Sequence, residues 1–389
     1  MLSTRPSVAL LGATGSIGTQ TLDVLRRELD SFDLVAIAGG QRLAQLAAIA
    51  KEFDVSNIGV VSNDDRVSLQ AMVGPSVNIV VGAEGLTELS MCADVVVNAV
   101  VGFAGLPVTL SALQAGKRLA LANKESLIAA APLVAKVRTT GGAEILPIDS
   151  EHCAIHQCLA GSPDEPGHPD VRRLLLTASG GPFRGWTKHQ LSSVAKSDAL
   201  KHPTWSMGPK ITIDSSTLMN KGLEVLEASA LFGIEVDRVD VVVHPQSIVH
   251  SMVEYVDGSV LAQLSEPDMR LPIAYCLGSP VRFNHGWGRL DFSQALHLTF
   301  EAPDREAFPA LDLAYAAARR GGAAAAWLSA ANEIAVDAFL NDQISCSRIV
   351  PLVADVMDGF DDEPLTSLEE LFENDATARR IAHGMVIGQ

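Results

Sequence analysis

The chain begins with short apolar runs that alternate with longer stretches of helical spacing. The longer stretches, for example residues 17–29 and 124–139, repeat apolar side chains at helical intervals, which predicts amphipathic helices. Nearly continuous apolar strands that alternate with helices are typical of a doubly wound parallel sheet of the α/β class. The predicted strands are residues 8–11, 34–38, 58–61, 79–81, 95–101, 118–122 and 143–148.

The pattern changes after residue 151. A helix-like segment at 153–161 is followed by strand-like runs at 173–179, 239–243, 248–255 and 259–264, the last two joined by a hairpin-like turn at 256–258. This order predicts an α+β domain with an antiparallel portion. From about residue 304 onward the spacing is helical throughout, which predicts a C-terminal helical bundle. We expect domains at 1–150, 151–277 and 304–389, with the Gly- and Pro-containing segment 278–303 as a linker.

Composition and charge narrow the classes of function. The 389 residues carry a formal net charge of −17, which argues against binding to nucleic acid because phosphate backbones require clustered Lys and Arg. No window approaches the roughly 20 apolar residues that a membrane span needs. The five cysteines are odd in number and far apart, which suits a reducing compartment. We therefore expect a soluble cytoplasmic protein that binds neither nucleic acid nor a membrane.

The first chemical motif is the glycine turn GATGSIG at 12–18. It follows a predicted strand and opens a helix, so its backbone N–H groups can bind a pyrophosphate; the alternative is a plain strand-to-helix turn. The next strand ends in AGGQR at 38–42, without the acidic residue that usually binds the ribose of NAD. Arg42 can instead pair with a 2′-phosphate, which favours NADP, or it can be a solvated residue at a helix start.

Two carboxylates follow the predicted strand 143–148. If the chain stays extended through Ser150, Asp149 and Glu151 point to the same side and can share one ion. Carboxylates favour Mg²⁺ or Mn²⁺, whereas His152 and Cys153 diverge once a helix begins and lack a partner motif for zinc. The alternative is a helix cap at Asp149 or Ser150 with an acidic first turn.

A second polar cluster lies at 214–224, DSSTLMNKGLE. This segment looks like a capped helix N-terminus, with its Asp, Ser and Thr residues as the start signal. Asn220, Lys221 and Glu224 are spaced to share one helix face, which can hold a phosphorylated polyol beside a metal. The alternative is a surface helix with an ordinary ion pair.

Two loops complete the candidate site. The segment 177–182, TASGGP, can bind a phosphate through backbone N–H groups and Ser179. The segment 201–210 carries Trp205 between Gly and Pro residues and is a candidate lid. Either can equally be a structural loop, with Trp205 in a core.

Together these motifs resemble the 1-deoxy-D-xylulose 5-phosphate reductoisomerase family over nearly the whole chain. His156 and Ala13 depart from residues that are frequent in the family, and neither is a presumed ligand. The motifs that carry the resemblance are GATGSIG (12–18), LANKES (121–126), PIDSEH (147–152), SGGPFR (179–184), KHPTWSMG (201–208), DSSTLMNKGLE (214–224), VVHPQSIVHSMVEYVDGS (242–259), LSEPDMR (264–270) and LSAANEIAVDAFL (328–340).

The resemblance implies a homodimer with an N-terminal Rossmann-like NADPH-binding domain, a central catalytic, metal-binding and dimerisation domain, and a C-terminal helical domain. It implies a divalent cation, Mg²⁺, Mn²⁺ or Co²⁺, bound by Asp149, Glu151 and Glu224, with Lys124 as a further catalytic residue. The implied substrate contacts are Lys124, Ser150, Glu151, Ser179, His202, Trp205 on a flap, Ser215, Asn220, Lys221 and Glu224. The implied NADPH contacts are Thr14, Gly15, Ser16, Ile17, Gly40, Gln41, Arg42, Asn123, Glu125 and Gly208.

The resemblance also implies a reaction. The phosphorylated sugar 1-deoxy-D-xylulose 5-phosphate is rearranged and then reduced by NADPH to 2-C-methyl-D-erythritol 4-phosphate, in the non-mevalonate route to isoprenoids. Two alternatives stay open from the residues alone. A semialdehyde dehydrogenase shares the glycine turn but needs a cysteine nucleophile with a basic partner, and an NADP-sensing module needs neither a metal nor Glu224.

Overall fold

The computed structural model describes residues 5–161, 167–205, 207–361 and 364–388, with the backbone alone described at 138–141. Two features of the sequence analysis lie at least partly outside the described residues: the loop between the helix-like segment 153–161 and the strand-like run 173–179, and Ser206 of the candidate lid. The strands are β1 Ser7–Leu11, β2 Asp33–Ala38, β3 Asn57–Val60, β4 Asn78–Val81, β5 Val95–Asn98, β6 Arg118–Leu121, β7 Glu144–Pro147, β8 Val171–Ala178, β9 Val239–Val243, β10 Val249–Tyr255 and β11 Val260–Leu264.

Helices separate most of the strands and fill the C-terminal region. Within the described ranges, no helix is both long and apolar enough to cross a membrane. The helices are α1 Ser16–Arg27, α2 Leu43–Glu52, α3 Asn63–Val73, α4 Gly82–Met91, α5 Leu106–Gln114, α6 Lys124–Ala129, α7 Ala131–Gly141, α8 Ser150–Leu159, α9 Lys188–Leu191, α10 Lys196–Ala199, α11 Pro209–Ser216, α12 Met219–Phe232, α13 Arg270–Gly278, α14 Ala310–Arg320, α15 Ala324–Leu340, α16 Cys346–Met357 and α17 Leu368–Ile387, with 3-10 turns at Gly102–Gly105 and Val236–Arg238.

The chain divides into two compact units. The first comprises Met1–Leu127, Val134–Cys153 and Asp268–Gly288, and the second comprises Ile128–Leu133, Ala154–Pro267 and Arg289–Gln389. The return of 268–288 to the first unit differs from the sequence-based division, which assigned 268–277 to the central domain. The reason is that α13 has an apolar face, including Ile273 and Leu277, that is buried in the core of the first unit. The three functional domains stay a prediction.

The first unit contains the predicted parallel sheet. Its seven strands run in the order β4-β3-β2-β1-β5-β6-β7, and all neighbouring pairs are parallel. The strand order reverses direction between β1 and β5, and ligands of such sheets bind at the carboxyl ends of strands beside this switch point. The glycine turn follows β1, so the fold places it at that position. The prediction of a doubly wound sheet is confirmed.

The second unit contains a mixed sheet in the order β11-β10-β8-β9. Strand β10 is antiparallel to β8 and β11, whereas β8 and β9 are parallel. Helices α12 and α14 cover this sheet, with Val225 and Leu311 in the same buried cluster as the strand residue Leu174. The antiparallel portion and the helical C-terminal region, α14 to α17, are confirmed.

Three predicted elements differ in extent. The strand predicted at 95–101 ends at Asn98. The helix predicted at 124–139 is divided into α6 and α7, because Pro132 has no N–H to donate to α6 and its ring excludes a continuous helix. The helix start predicted within 214–224 is found at Met219, where α12 begins, but Asp214 belongs to a preceding helix, α11, which was not predicted. Helix α11 begins at Pro209, where the fixed backbone angle of proline suits a first helical position.

The interruption between α11 and α12 lies at Leu218. Its φ of 60° is left-handed, which ends one helix and lets α12 begin at Met219. The Oγ1 atom of Thr217 accepts a hydrogen bond of 3.3 Å from the Met219 N–H. The polar residues 214–217 therefore terminate one helix and precede the next, a junction that a search for helix starts cannot distinguish from an N-terminus.

Candidate active site

Close backbone approach determines the geometry of the glycine turn. Gly12 has a φ of +98°, and a Cβ there would lie 2.3 Å from the Ala99 carbonyl oxygen. A Cβ at Gly18 would lie 2.2 Å from the Gly12 oxygen, so α1 packs against the turn itself. Gly15 caps α1 without a side-chain hydrogen bond, and Ser16 is exposed at the first position. The helix N-terminus therefore has the features of an anion site.

The end of β2 lies beside this turn. The Gly12 and Ala13 N–H groups donate to the Ala38 carbonyl at 3.0 and 2.8 Å. A Cβ at Gly39 would lie 3.3 Å from Oγ1 of the buried Thr14. The structure thus brings together two of the predicted cofactor segments: the glycine turn with Ile17, and the turn of half-buried Gly40 and exposed Gln41 and Arg42.

Asn123 has a structural role in the first unit. Its buried side chain donates to the carbonyls of Val100 and Gly102 and accepts from the Ser126 N–H at 2.8 Å, which caps α6. The amide is therefore engaged by the protein itself. Its predicted contact with NADPH stays a prediction, as does that of the half-buried Glu125.

The carboxylates of Asp149 and Glu151 lie at the junction between β7 and α8. The chain does not stay extended through Ser150, because α8 begins at that residue and the Cys153 N–H donates to the Asp149 carbonyl at 2.8 Å. Carboxylate oxygens of Asp149 and Glu151 are nevertheless within 4.8 Å of each other. Asp149 directly precedes α8 and also belongs to the carboxylate pair, so the cap interpretation and the metal interpretation of this segment are compatible.

Charged and polar neighbours surround this carboxylate pair. The ammonium of Lys124, largely buried at the start of α6, forms an ion pair with Asp149. Ser150 donates to Glu151, and His152 Nδ1 lies 3.8 Å from Asp149 Oδ2. Asp149 and Glu151 therefore offer carboxylate oxygens close to one another, with an ammonium beside Asp149. That is the donor chemistry that suits a hard divalent cation.

In the second unit, α12 presents the predicted amide, ammonium and carboxylate on one face. Asn220 Nδ2 and Lys221 Nζ both donate to the carboxylate of Glu224. Lys221 and Glu224 are almost completely buried, whereas Asn220 is half-buried. The predicted shared face is confirmed. A buried carboxylate next to one lysine and one amide can accept further positive charge.

The Ser179 loop and the candidate lid meet at His202. Nδ1 of His202 accepts from the N–H groups of Thr204 and Trp205 at 3.1 and 2.9 Å, so the ring proton is on Nε2. Nε2 lies 3.2 Å from Ser179 Oγ, which also accepts from the Gly181 N–H at 3.2 Å. Burial lowers the pKa of His202 to about 4. A neutral imidazole therefore donates to Ser179, and the hydroxyl hydrogen of Ser179 can point to a ligand.

Ser215 lies against the same loop. Gly181 has a φ of +69°, and a Cβ there would lie 2.5 Å from the Ser215 carbonyl oxygen. Ser215 is buried in the last turn of α11, and the exposed Gly208 precedes the first. Ser179 thus contacts His202 directly, and the backbone of Ser215 packs against the same loop; binding of substrate by these residues stays a prediction.

Sequence reasoning assigned no role to His250, although its motif was noted. The ring centroids of Trp205 and His250 are 6.3 Å apart, and Nε2 of His250 is 2.8 Å from Ser265 Oγ. Burial, aided by the nearby charge of Lys221, lowers the pKa of His250 to about 4. The signal available in the sequence was a histidine within a strand rich in apolar residues, which is more often a core residue.

None of the five cysteines, all in the described part of the chain, forms a disulfide. Burial raises the pKa of Cys158 and Cys346 to about 11 and that of Cys276 well above its usual value. Cys92 is exposed, and its sulfur lies 3.3 Å from the Glu88 carbonyl. Three thiols are thus held protonated and Cys92 has a carbonyl as neighbour, which does not favour a cysteine nucleophile.

Comparison with known proteins identifies the family. A sequence model of "1-deoxy-D-xylulose 5-phosphate reductoisomerase" matches residues 8–131, and models of its C-terminal domain match 145–232 and 264–381. The reductoisomerase of Chloroherpeton thalassium is 46% identical over 379 residues, 97% of this chain and 97% of its own length. The chain belongs to this reductoisomerase family.

Other members are equally similar in sequence and in structure. The reductoisomerase of Chlorobaculum tepidum is 48% identical over 383 residues, 98% of this chain and 99% of its own. The solved reductoisomerase of Zymomonas mobilis, in complex with NADPH, superposes with a TM-score of 0.91 at 42% identity and covers 98% of this chain and 99% of its own. A reductoisomerase solved with NADPH, fosmidomycin and magnesium has a TM-score of 0.91, 43% identity and 98% coverage of both chains.

Proposed function

We propose that this chain rearranges 1-deoxy-D-xylulose 5-phosphate and reduces the product with NADPH to 2-C-methyl-D-erythritol 4-phosphate, in the non-mevalonate route to isoprenoids. The observation that carries this function is the match to reductoisomerases over nearly the whole length of both chains. The enzyme is an NADP-dependent oxidoreductase that requires a divalent metal, as relatives solved with NADPH and magnesium support.

Three carboxylates are the proposed metal ligands, Asp149 and Glu151 from the β7–α8 junction and Glu224 from α12. Their donor set fits a hard cation, because carboxylate oxygens are the ligands that Mg²⁺ and Mn²⁺ prefer. When bound, the metal polarises substrate oxygens and stabilises negative charge that develops on them. Lys124 and Lys221 reduce the repulsion among the carboxylates, because each pairs with one of them.

Lys124 is also the proposed group for proton handling. Its ammonium is held by Asp149 at the start of α6, with little exposure to water. A positioned ammonium in such an environment can donate a proton to a substrate oxygen and recover it. Ser150 lies between Asp149 and Glu151 in the chain and is a further proposed substrate contact.

The phosphate of the substrate is assigned to Ser179, Ser215, Asn220 and Lys221. His202 supports this assignment, since its Nε2–H occupies one acceptor position of Ser179 and leaves the hydroxyl hydrogen for a phosphate oxygen. Trp205, on the segment that follows His202, is proposed to cover the substrate and exclude water.

NADPH is assigned to the glycine turn, the Gly40–Arg42 turn, Asn123, Glu125 and Gly208, and it supplies the hydride when bound. The exposed N-terminus of α1 is suited to the pyrophosphate, and Arg42 to the 2′-phosphate. A homodimer, a cytoplasmic location, and the use of manganese or cobalt in place of magnesium remain further parts of the proposal.

Product analysis tests this function. Purified enzyme is incubated with 1-deoxy-D-xylulose 5-phosphate, NADPH and Mg²⁺, and the products are identified by mass spectrometry and NMR. We expect one 2-C-methyl-D-erythritol 4-phosphate for each NADPH oxidised. Consumption of NADPH with an acyl phosphate, or reduction of NADP⁺ with a semialdehyde and phosphate, and no turnover of the deoxysugar would instead support the semialdehyde dehydrogenase alternative. Binding of NADPH without turnover of either substrate would support the sensing module.

A further inference from the structure

Helix α11 connects two parts of the proposed substrate site. The candidate flap, the segment 201–210, continues into α11, which begins at Pro209, and Ser215 lies in the last turn of the same helix. Any rotation or shift of α11 therefore displaces both the flap and a proposed phosphate ligand. The residues that fix this helix are consequently candidates for control of substrate binding.

A buried carboxylate fixes α11 from within the second unit. Asp214 is 1% exposed, and its Oδ2 pairs with Lys210 Nζ, one turn earlier, at 2.8 Å. Its Oδ1 accepts a hydrogen bond of 2.8 Å from Nδ2 of Asn332, a fully buried residue of α15. The bond joins α11 to a helix of the C-terminal region, which carries none of the predicted site residues.

The local chemistry of Asn332 shows what its amide does. Its Oδ1 is buried and has no hydrogen-bond partner among the described residues. An unsatisfied buried oxygen is unfavourable, and an apolar side chain of similar size would avoid it. The bond from Nδ2 to Asp214 is thus the interaction that justifies an asparagine at this position.

The position of α11 is transmitted to the Ser179 loop by a tight backbone contact. The Ser215 carbonyl occupies the space where a side chain at Gly181 would begin, so neither segment can move toward the other. The Gly181 N–H in turn donates to Ser179 Oγ. A displacement of Ser215 therefore alters the hydroxyl of Ser179 as well.

We propose that Asn332 is a positioning residue for substrate phosphate binding, which acts by holding Asp214 and hence α11 in register with Ser215 and the Ser179 loop. The proposal rests on the proposed function, because it assigns the phosphate to these serines. Asn332 lies outside the proposed substrate and cofactor contacts, so its effect is on affinity and not on the chemical step.

The test compares three variants of the full-length enzyme. Asn332→Leu removes the donor, and Asn332→Asp opposes two carboxylates. The exchange variant combines Asp214→Asn with Asn332→Asp. It restores the hydrogen bond in the opposite direction, with the donor at position 214 and the acceptor at position 332. The control is Asn374→Leu. It removes a hydrogen bond of 2.7 Å among the C-terminal helices, which Asn374 Oδ1 accepts from Trp327 Nε1.

The readouts are the KM and kcat for 1-deoxy-D-xylulose 5-phosphate, the Kd for inorganic phosphate by calorimetry, and the Tm. For both single variants at position 332 we expect KM and phosphate Kd to rise about tenfold, with a much smaller change in kcat, and the exchange to recover most of this loss. The control is expected to lower Tm without changing KM.

A merely structural Asn332 gives a different result. Its loss would lower Tm and the active fraction while KM and phosphate Kd stay unchanged, or the control would raise KM equally; either result overturns the proposal. Failure of all three variants to fold, or an exchange variant that folds and keeps the raised KM, also overturns it. If wild-type enzyme does not turn over the deoxysugar, the proposed function fails, and the phosphate Kd still tests the role of Asn332.

Discussion

Nε2 of His202 donates to Oγ of Ser179 over 3.2 Å while Nδ1 of the same ring accepts two backbone N–H groups of the candidate flap. One neutral imidazole thus connects the start of the flap to a proposed phosphate ligand. Because burial lowers the pKa of His202 to about 4, this arrangement persists throughout the neutral range.

Two substitutions of His202 separate its two contacts. His202→Asn keeps an acceptor near the position of Nδ1 and loses the bond to Ser179, whereas His202→Gln can keep a donor near the position of Nε2 and loses the backbone acceptor. We expect KM for the deoxysugar phosphate to rise about five- to tenfold in each, as for one hydrogen bond of about 1 kcal/mol. Adding Ser179→Ala to His202→Asn should raise KM little further, because the bond to Ser179 is already lost. In His202→Gln, which can keep that bond, the effect of Ser179→Ala should be additive. Steady-state kinetics of the single and double variants measure this coupling, and additivity in both backgrounds would contradict it.

Lys124→Met tests the role of the buried ammonium. Loss of a positioned proton donor should lower kcat by about 10²- to 10⁴-fold. The affinity for Mg²⁺ should not fall, because Asp149 loses a competing cation. Steady-state kinetics and a metal titration measure both quantities, with the exposed Lys51→Met as a matched control. A fall in metal affinity with unchanged kcat would assign Lys124 to metal-site structure instead.

Arg42→Ala tests the choice of nicotinamide. The side chain is exposed at the start of α2, beside the end of β2. If it pairs with the 2′-phosphate, its removal should raise KM for NADPH about tenfold, the effect of about 1.4 kcal/mol, and leave KM for NADH unchanged. Exposed Arg66→Ala serves as the control. An equal effect on both nicotinamides would show that Arg42 has no specific role toward the phosphate.

Buried His250 should make stability depend on pH. Its folded pKa of about 4 is below the usual value of 6.5, so the unfolded chain binds more protons between about pH 6.5 and 4. The contribution of neutral His250 to the free energy of unfolding is therefore fully present above this window. It is lost as pH falls through the window, by about 1–2 kcal/mol at pH ~5. His202 contributes in the same direction. The loss of Tm from about pH 7.5 to 5 should be smaller in His250→Asn than in the wild type, whereas exposed His189→Asn should behave as the wild type. Equal losses in all three would contradict the assignment.

The sequence predicted the parallel sheet and its glycine turn because both depend on local apolar runs and on glycine itself. It also predicted the shared face of Asn220, Lys221 and Glu224, which follows from helical periodicity within one segment. It could not predict α11, because the Asp, Ser and Thr residues at 214–217 indicate the start of the helix that follows them and a left-handed Leu218 has no recognisable signature. The return of α13 to the first unit and the pairing of Asp214 with Asn332 depend on packing between distant segments.

The most direct test of the account is the metal dependence of NADPH oxidation with 1-deoxy-D-xylulose 5-phosphate. Wild-type enzyme is treated with a chelator, assayed, and assayed again after Mg²⁺ is restored; Glu224→Gln and the exposed Glu373→Gln are assayed in parallel. The account predicts no turnover after chelation and full recovery with Mg²⁺. It predicts a loss of about 10³-fold in Glu224→Gln, as for about 4 kcal/mol of stabilisation, and no loss in the control. Full turnover in the presence of the chelator would contradict it.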